Sequence, residues 1–461
     1  MKNLLLVIEE NVFTNVMKSY MPSIFPLVLF ILLMLFHSVS FAQKTWSLTA
    51  CVEYALNNNI ELHQKANELK SQQIGLFESK IGMLPDLNMG SSVNLNFGRN
   101  IDGNTNAITY EQTLGNQFWV GSSIDIFNGF IKQNTIRYNH YLLSASKEDL
   151  SFAKNQLIFS VLSSYYTAVY SIGLMQVAQS QADLSELMYH RMQKFVDVGR
   201  ESPIMVQELN SQWADDKLNL VRARNNMSKA MLELKQLLRL DASQMLSIDT
   251  VNALLITTTA VSNIDSLFST AVQILPEIKQ QEFLLKAKEK DLAVAKGSYF
   301  PRVYMSAGYN SNYFDGDTLA YVKQLENNQN QWVNLGISIP LFNHASVYCQ
   351  RKRKEIALTN QAYELQKRKD LLYAEIVKAR DELQSSENEY HASMESREFN
   401  LLSLKNVARK MEKGLAGATD FEASKQRVAS AEAAVLKAKL IYIMRKQILE
   451  FYNSGNWNHL N

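Results

Sequence analysis

The amino-acid sequence predicts a mixed fold of long coiled-coil helices and short transmembrane β-strands, arranged as two internal repeats. Three observations lead there. The N-terminus carries an export signal, a set of anchor residues returns after about 215 positions, and four segments alternate polar and apolar residues with period two.

The run from Ile24 to Phe36 is almost wholly apolar and is followed by Ser40-Phe41-Ala42, small residues where a signal peptidase needs them. Residues 1–42 therefore read as a signal peptide, with Gln43 first in the mature chain. Its apolar core lies deep, and Met17 makes a more natural start than Met1. The competing reading is an uncleaved anchor. No Cys follows the cleavage site, so a lipid anchor is not indicated. Beyond the signal there is no run of roughly 18 apolar residues, so no further helix is expected to span a membrane.

Composition narrows the function classes. Hydrophobic residues make up 46% of the 461 and aromatic residues 10%, which excludes a disordered chain. A net charge of +2 gives no electrostatic case for a nucleic-acid partner. Only 17 glycines and 7 prolines occur, which favours long uninterrupted elements. Cys51 and Cys349 occupy inequivalent places in the repeat, so no disulfide is expected between them. The seven histidines are scattered without metal-ligand spacing, and there is no GxSxG, HExxH, CxxC or phosphate-loop pattern. The sequence thus predicts no catalytic residue, no metal site and no cofactor.

The duplication is visible in four anchors. Leu84-Pro85 returns as Phe300-Pro301, Gly121 as Gly336, Phe127-Asn128 as Phe342-Asn343, and Gly199 as Gly414. The first repeat is placed at 43–240 and the second at 263–455. Residues 241–262, low in charge and rich in Ser and Thr, form a linker, and 456–461 a C-terminal tail.

Each repeat follows one plan. Residues 46–84 have helical spacing at Ala55, Leu56, Leu62, Leu69 and Leu76. A strand over about 87–97 puts Leu87, Met89, Val93, Leu95 and Phe97 on one face and Asn88, Gly90, Ser92, Asn94 and Asn96 on the other. After a polar loop, a second strand over about 117–127 alternates through Phe118, Val120, Ile124 and Ile126. A helix free of proline then runs from Gly129 to about Val198, roughly 100 Å at 1.5 Å per residue. A turn at Gly199–Pro203 sends a helix back to about Leu240, with Ser202 as N-cap and Pro203 in the first turn. The second repeat predicts a helix over 263–299, strands over about 302–312 and 331–341, a polar loop over 313–330 between them, and helices over 344–413 and 418–452. In the last helix Ala429, Ala433, Leu436, Leu440 and Ile443 form a coiled-coil seam.

Strands of this length with one apolar face suit a membrane barrel. Trp119, Trp332, Tyr304 and Tyr313 are placed as its aromatic belt, contacting outer-membrane lipid. Sheet edges cannot stay open in lipid, and four strands cannot close on themselves. A dimer would close eight strands around too narrow a hole, whereas a homotrimer closes twelve. The competing reading is an exported coiled-coil scaffold without a pore.

The export signal, the twice-written helix–strand–loop–strand–helix–turn–helix order, and the Pro-Leu-Phe-Asn run at Pro340–Asn343 together resemble the TolC-type outer-membrane efflux proteins, over residues 46 to about 455. The resemblance implies a trimeric twelve-stranded β-barrel in the outer membrane, continuing into a periplasmic α-helical barrel. It also implies passive conduction of substrate in a tripartite efflux or type I secretion system, with a periplasmic adaptor protein and an inner-membrane pump as partners. The family's adaptor-contact turns fall here on Gly199, Ser202 and Pro203 and on Gly414, Gly417 and Thr419. Asp420 matches the acidic residue of its periplasmic gate. Met205 stands at the equivalent place in the first repeat, so a ring would hold three carboxylates. Arg351–Lys354 follow the last strand, where cations would meet headgroups or simply face water.

Overall fold

A computed structural model describes residues 45–101, 107–110, 112–241, 243–251 and 263–457. The expected signal peptide and the second half of the linker lie outside these residues. The first repeat runs β1 (Thr45–Trp46), α1 (Leu48–Asn58), α2 (Ile60–Ile81), β2 (Asn88–Asn96), the short β3 (Asn100–Ile101) and β4 (Ile108–Thr109), β5 (Thr113–Asn128), α3 (Ile131–Asp197) and α4 (Pro203–Leu238). After β6 (Ser247–Ile248), the second repeat runs α5 (Ile264–Ile274), α6 (Pro276–Gly297), β7 (Arg302–Phe314), α7 (Tyr321–Asn327), β8 (Gln329–Ser338), α8 (Ser346–Glu412) and α9 (Ala418–Ser454).

The duplication reaches single residues. Both α3 and α8 have 67 residues. Cys51, Ala55, Leu157, Val161 and Leu234 lie in one buried cluster, and their repeat counterparts Leu267, Ala271, Leu372, Ile376 and Leu449 lie in another. A third cluster, of Met192, Leu209, Met411, Ala418 and Phe421, lies near the far ends of the hairpins and draws on both repeats.

Several boundaries differ from the sequence expectation, each for a local reason. The first helix is broken at Asn59, which ends α1 and caps α2 by accepting from the Leu62 N–H at 3.1 Å. Its counterpart is broken at Leu275, because Pro276 lacks an N–H and begins α6 as its first residue. β8 stops at Ser338, two residues short of Pro340, rather than reaching 341. β5 starts at Thr113, four residues earlier than its alternation suggested. The polar loop over 313–330 contains α7, whose Gln324 is fully buried. Gln324 accepts from the Phe314 N–H at 3.0 Å and donates to the Leu319 carbonyl at 2.9 Å.

The linker also contributes structure. Ser247–Ile248 pair in parallel with Thr45–Trp46, and the buried Tyr165 hydroxyl ties the two strands together. It donates to the Asp249 carbonyl at 2.7 Å, with the Trp46 carbonyl at 3.3 Å. In the tail, Trp457 stacks on Phe451 at 4.5 Å and meets Phe159 edge-on at 4.7 Å. One further difference concerns α3, which contains a stretch apolar enough to cross a membrane by length and composition. Part of that stretch, Val161, Leu162 and Val169 among it, is buried inside the fold.

Candidate functional site: hairpin tips and a two-faced sheet

Both helical hairpins turn in the same way. At the first tip Gly199 has φ 75°, its N–H donates to the Val196 carbonyl at 2.9 Å, and the Arg200 N–H donates to Phe195 at 2.8 Å. At the second, Gly414 has φ 71°, donating to Met411 at 3.0 Å, and Leu415 donates to Lys410 at 2.9 Å. This is the left-handed Schellman closure, in which glycine avoids the Cβ penalty. The tips adjoin, since a Cβ on Gly414 would lie 3.7 Å from Oε1 of Glu201. Ser202 caps α4 by accepting from the Ile204 N–H at 3.3 Å, with Pro203 first in the helix.

At the second tip Gly417 occupies the N-cap and, lacking a side chain, cannot cap. Asp420 supplies the reciprocal half, its carboxylate accepting from the Gly417 N–H at 3.2 Å. Asp420 and Thr419 are both exposed. Val198, Ile204 and Leu415 add exposed apolar side chains to the same end of the molecule. Behind the tips, Arg191 and Glu412 form an ion pair at 2.7 Å between α3 and α8. Deeper still, Lys425 of α9 is fully buried against Asp216 of α4 and Ser185 of α3, with Glu422 at 2.7 Å. Burial pushes the Glu422 carboxyl above its ordinary range, against the pull of Lys425.

The sheet has strand order β2-β5-β7-β8, all antiparallel, and β2 and β8 each pair on one side only among the described residues. Its register gathers most apolar side chains on one face, although Ser91, Asn116, Ser122, Ser311, Gln329 and Gln331 stand among them. Met89, Val93, Leu95, Leu114, Phe118, Val120, Met305, Tyr309, Val333, Leu335 and Ile337 share one face, and many of them are exposed. Asn88, Ser92, Asn94, Gln117, Ser123, Ser306, Asn310, Asn330 and Asn334 share the other.

The register divides the residues expected in the aromatic belt between the two faces. Trp119, Trp332 and Tyr304 stand on the polar face, each in register with a glycine of the next strand: Gly90, Gly308 and Gly336. The glycine leaves room for a ring that leans across the strand. Only Tyr313 stands on the apolar face, where it packs on Tyr321 at 4.7 Å. The basic run after the last strand is largely paired: Arg351 and Lys352 with Glu355, and Lys354 with Asp291 at 2.8 Å.

A family model for outer membrane efflux proteins matches residues 52–238 and 267–450, which spans both repeats. The chain belongs to the outer membrane efflux protein family. No curated protein sequence matches it. Among solved structures the fold is similar to CusC, described as forming a transmembrane channel, at 15% identity and TM-score 0.75, covering 91% of this chain and 96% of that one. It is similar to VceC of Vibrio cholerae at 14% identity and TM-score 0.75, covering 89% and 97%. The CmeC channel of Campylobacter jejuni gives 15% identity and TM-score 0.73, covering 91% of each chain.

This efflux protein is therefore an outer-membrane protein, from a family of efflux proteins rather than enzymes. Sequence reasoning missed the buried Lys425–Asp216 pair, because a lysine seven residues past the start of a helix reads as solvated. The side assignment of Trp119 was open to it, since that residue alternates with Phe118 and Val120.

Proposed function

We propose that this efflux protein is the outer-membrane channel subunit of a tripartite efflux or type I secretion system, passively conducting substrate handed over by a periplasmic adaptor and an inner-membrane pump. The observation that carries the proposal is the four-stranded sheet, open at β2 and β8 and apolar over one exposed face. Lipid on the apolar face leaves no water for the edge groups of β2 and β8, so each must pair with another strand. β8 runs antiparallel to β2, so copies of the sheet join edge to edge without breaking the alternation. A homotrimer then gives twelve strands, a membrane barrel with an aqueous lumen lined by Asn and Ser.

In this reading the hairpin tips, Gly199–Pro203 and Gly414–Thr419, receive the adaptor, with Val198, Ile204 and Leu415 adding apolar contact. Asp420, exposed at the second tip, narrows the periplasmic aperture and favours cations. The chain has no energy source of its own, so opening follows from adaptor binding. Planar-bilayer recording of the detergent-extracted mature protein, with its mass measured in the same preparation, tests this. Discrete conductance steps from a species about three times the monomer mass are expected. A species of one or two chains without conductance overturns the proposal in favour of a scaffold.

A further inference from the structure

The two lumen-side tryptophans share one geometry. A Cβ on Gly90 would come within 2.8–2.9 Å of Cε2, Cζ2 and Nε1 of Trp119, and one on Gly308 within 2.6–2.8 Å of the same three atoms of Trp332. Each indole therefore leans across the neighbouring strand and lies against the sheet, with its far side uncovered. Trp119 is 41% exposed and Trp332 42%, so neither is packed as core. Trp119 is in register with Asn310 of β7 and Trp332 with Gly308, two strands and two residues apart, on the order of 12 Å.

The chemistry around them is uniform. On this face, from β2 to β8, the polar side chains are amides and hydroxyls. The exceptions are Asp125 and Arg302 at the helix-side end, which pair with each other at 2.6 Å. Tyr304 also covers a glycine, but Arg302 sits 5.6 Å over its ring, so that face is already taken. Phe314 also stands on this face, in register with Gly115 and 46% exposed, but it is a smaller ring at the loop-side end, so the two uncovered indoles are those of Trp119 and Trp332. Covering a glycine needs only bulk, which leucine supplies. An exposed aromatic face on an otherwise uncharged, hydrogen-bonding wall has a more specific use. Flat rings stack on it, and a cation gains further from the ring quadrupole.

We propose that Trp119 and Trp332 form a stacking station on the lumen wall for planar aromatic solutes, with cationic ones held longest. This rests on the channel reading above and gives it a cargo class. In a trimer the station comprises six indoles at nearly one level of the barrel.

The test is equilibrium dialysis of proflavine, a flat tricyclic cation, against the detergent-extracted protein, with tetraethylammonium as a cation lacking a ring. Replacing both residues, Trp119→Leu with Trp332→Leu, is expected to weaken proflavine binding about tenfold, and that of tetraethylammonium, which has no ring to stack and keeps only the attraction of a cation to the indole face, by clearly less. Each single Trp→Phe, which keeps a smaller ring, is expected to weaken it roughly twofold. Absence of saturable proflavine binding, or equal affinity in wild type and the leucine pair, overturns the proposal. If the leucine pair fails to assemble, unchanged affinity in both phenylalanine variants overturns it as well. Dialysis needs no current, so proflavine binding by a protein that does not conduct would sink the channel and leave the aromatic site standing.

Discussion

Lys425 and Asp216 form a buried ion pair that joins the second repeat to the first. Lys425 of α9 is fully buried, and it donates both to the Asp216 carboxylate on α4 and to the Ser185 hydroxyl on α3 at 2.5 Å. Ser185 in turn donates to Asp216 at 2.5 Å, so three helices meet on one charge. A buried pair can be replaced by apolar groups at little cost, but removing one partner leaves an uncompensated charge. Lys425→Met is therefore expected to cost about 3–5 kcal/mol. The double change with Asp216→Leu is expected to recover part of that loss, because Glu422 at 2.7 Å still loses its partner. Melting of the helical region followed by circular dichroism checks both. Equal stability of the single and double variants would mean the pair is not the source of the cost.

Glu277 gives a pH dependence of known sign. It is buried at the start of α6, and burial is the main cause raising its carboxyl above the ordinary 4.5, partly offset by Arg368 at 3.4 Å. A raised folded-state pKa means that its stability contribution is present below the ordinary value and is lost as pH rises through the raised one. Glu277→Gln abolishes that titration. The melting temperature of the variant relative to wild type is therefore expected to increase from about pH 4 to about pH 8. A gap that stays constant over that range would show that Glu277 does not titrate as its burial requires.

At the hairpin tips the cost of substitution lies in the backbone alone. No side chain stands within 4 Å of a Cβ built on Gly199, and only Glu201 approaches one on Gly414. Both residues hold left-handed φ, so Gly→Ala at either tip is expected to cost about 1–2 kcal/mol of local stability. Amide exchange at Arg200 and Leu415, whose N–H groups close the two turns, should speed up in the matching variant. A change at one tip that slowed exchange there would contradict the assigned turn.

The duplication, the helical hairpins and both tip turns were legible because they rest on local grammar. Gly199 and Gly414 recur at one spacing, and Ser202-Pro203 is a helix start whatever lies beyond it. The breaks at Asn59 and Pro276 were missed because apolar periodicity continues through them, while capping and a missing N–H act on single residues. The face that each belt residue occupies was not read, for a different reason. Aromatic residues near strand ends suggest an interface, but the side a residue faces depends on parity, and parity places Trp119 with Gly90 rather than with Phe118. The Lys425 site is non-local: it brings together residues 185, 216 and 425, and no spacing along the chain announces them.

Asp420 serves two purposes that substitution can separate. Its carboxylate caps α9 by accepting from the Gly417 N–H, and its charge stands exposed at the tip proposed as the periplasmic gate. Asp420→Asn keeps an acceptor and removes the charge, while Asp420→Ala removes both. The cap predicts that only the alanine variant loses stability, by about 1 kcal/mol. The gate predicts that both variants lose cation preference in single-channel recording, because the charge is gone from each of three chains and Met205 offers no substitute in the first repeat. If Asp420→Asn retains the wild-type ratio of cation to anion permeability, the residue is a helix cap and the selectivity resides elsewhere.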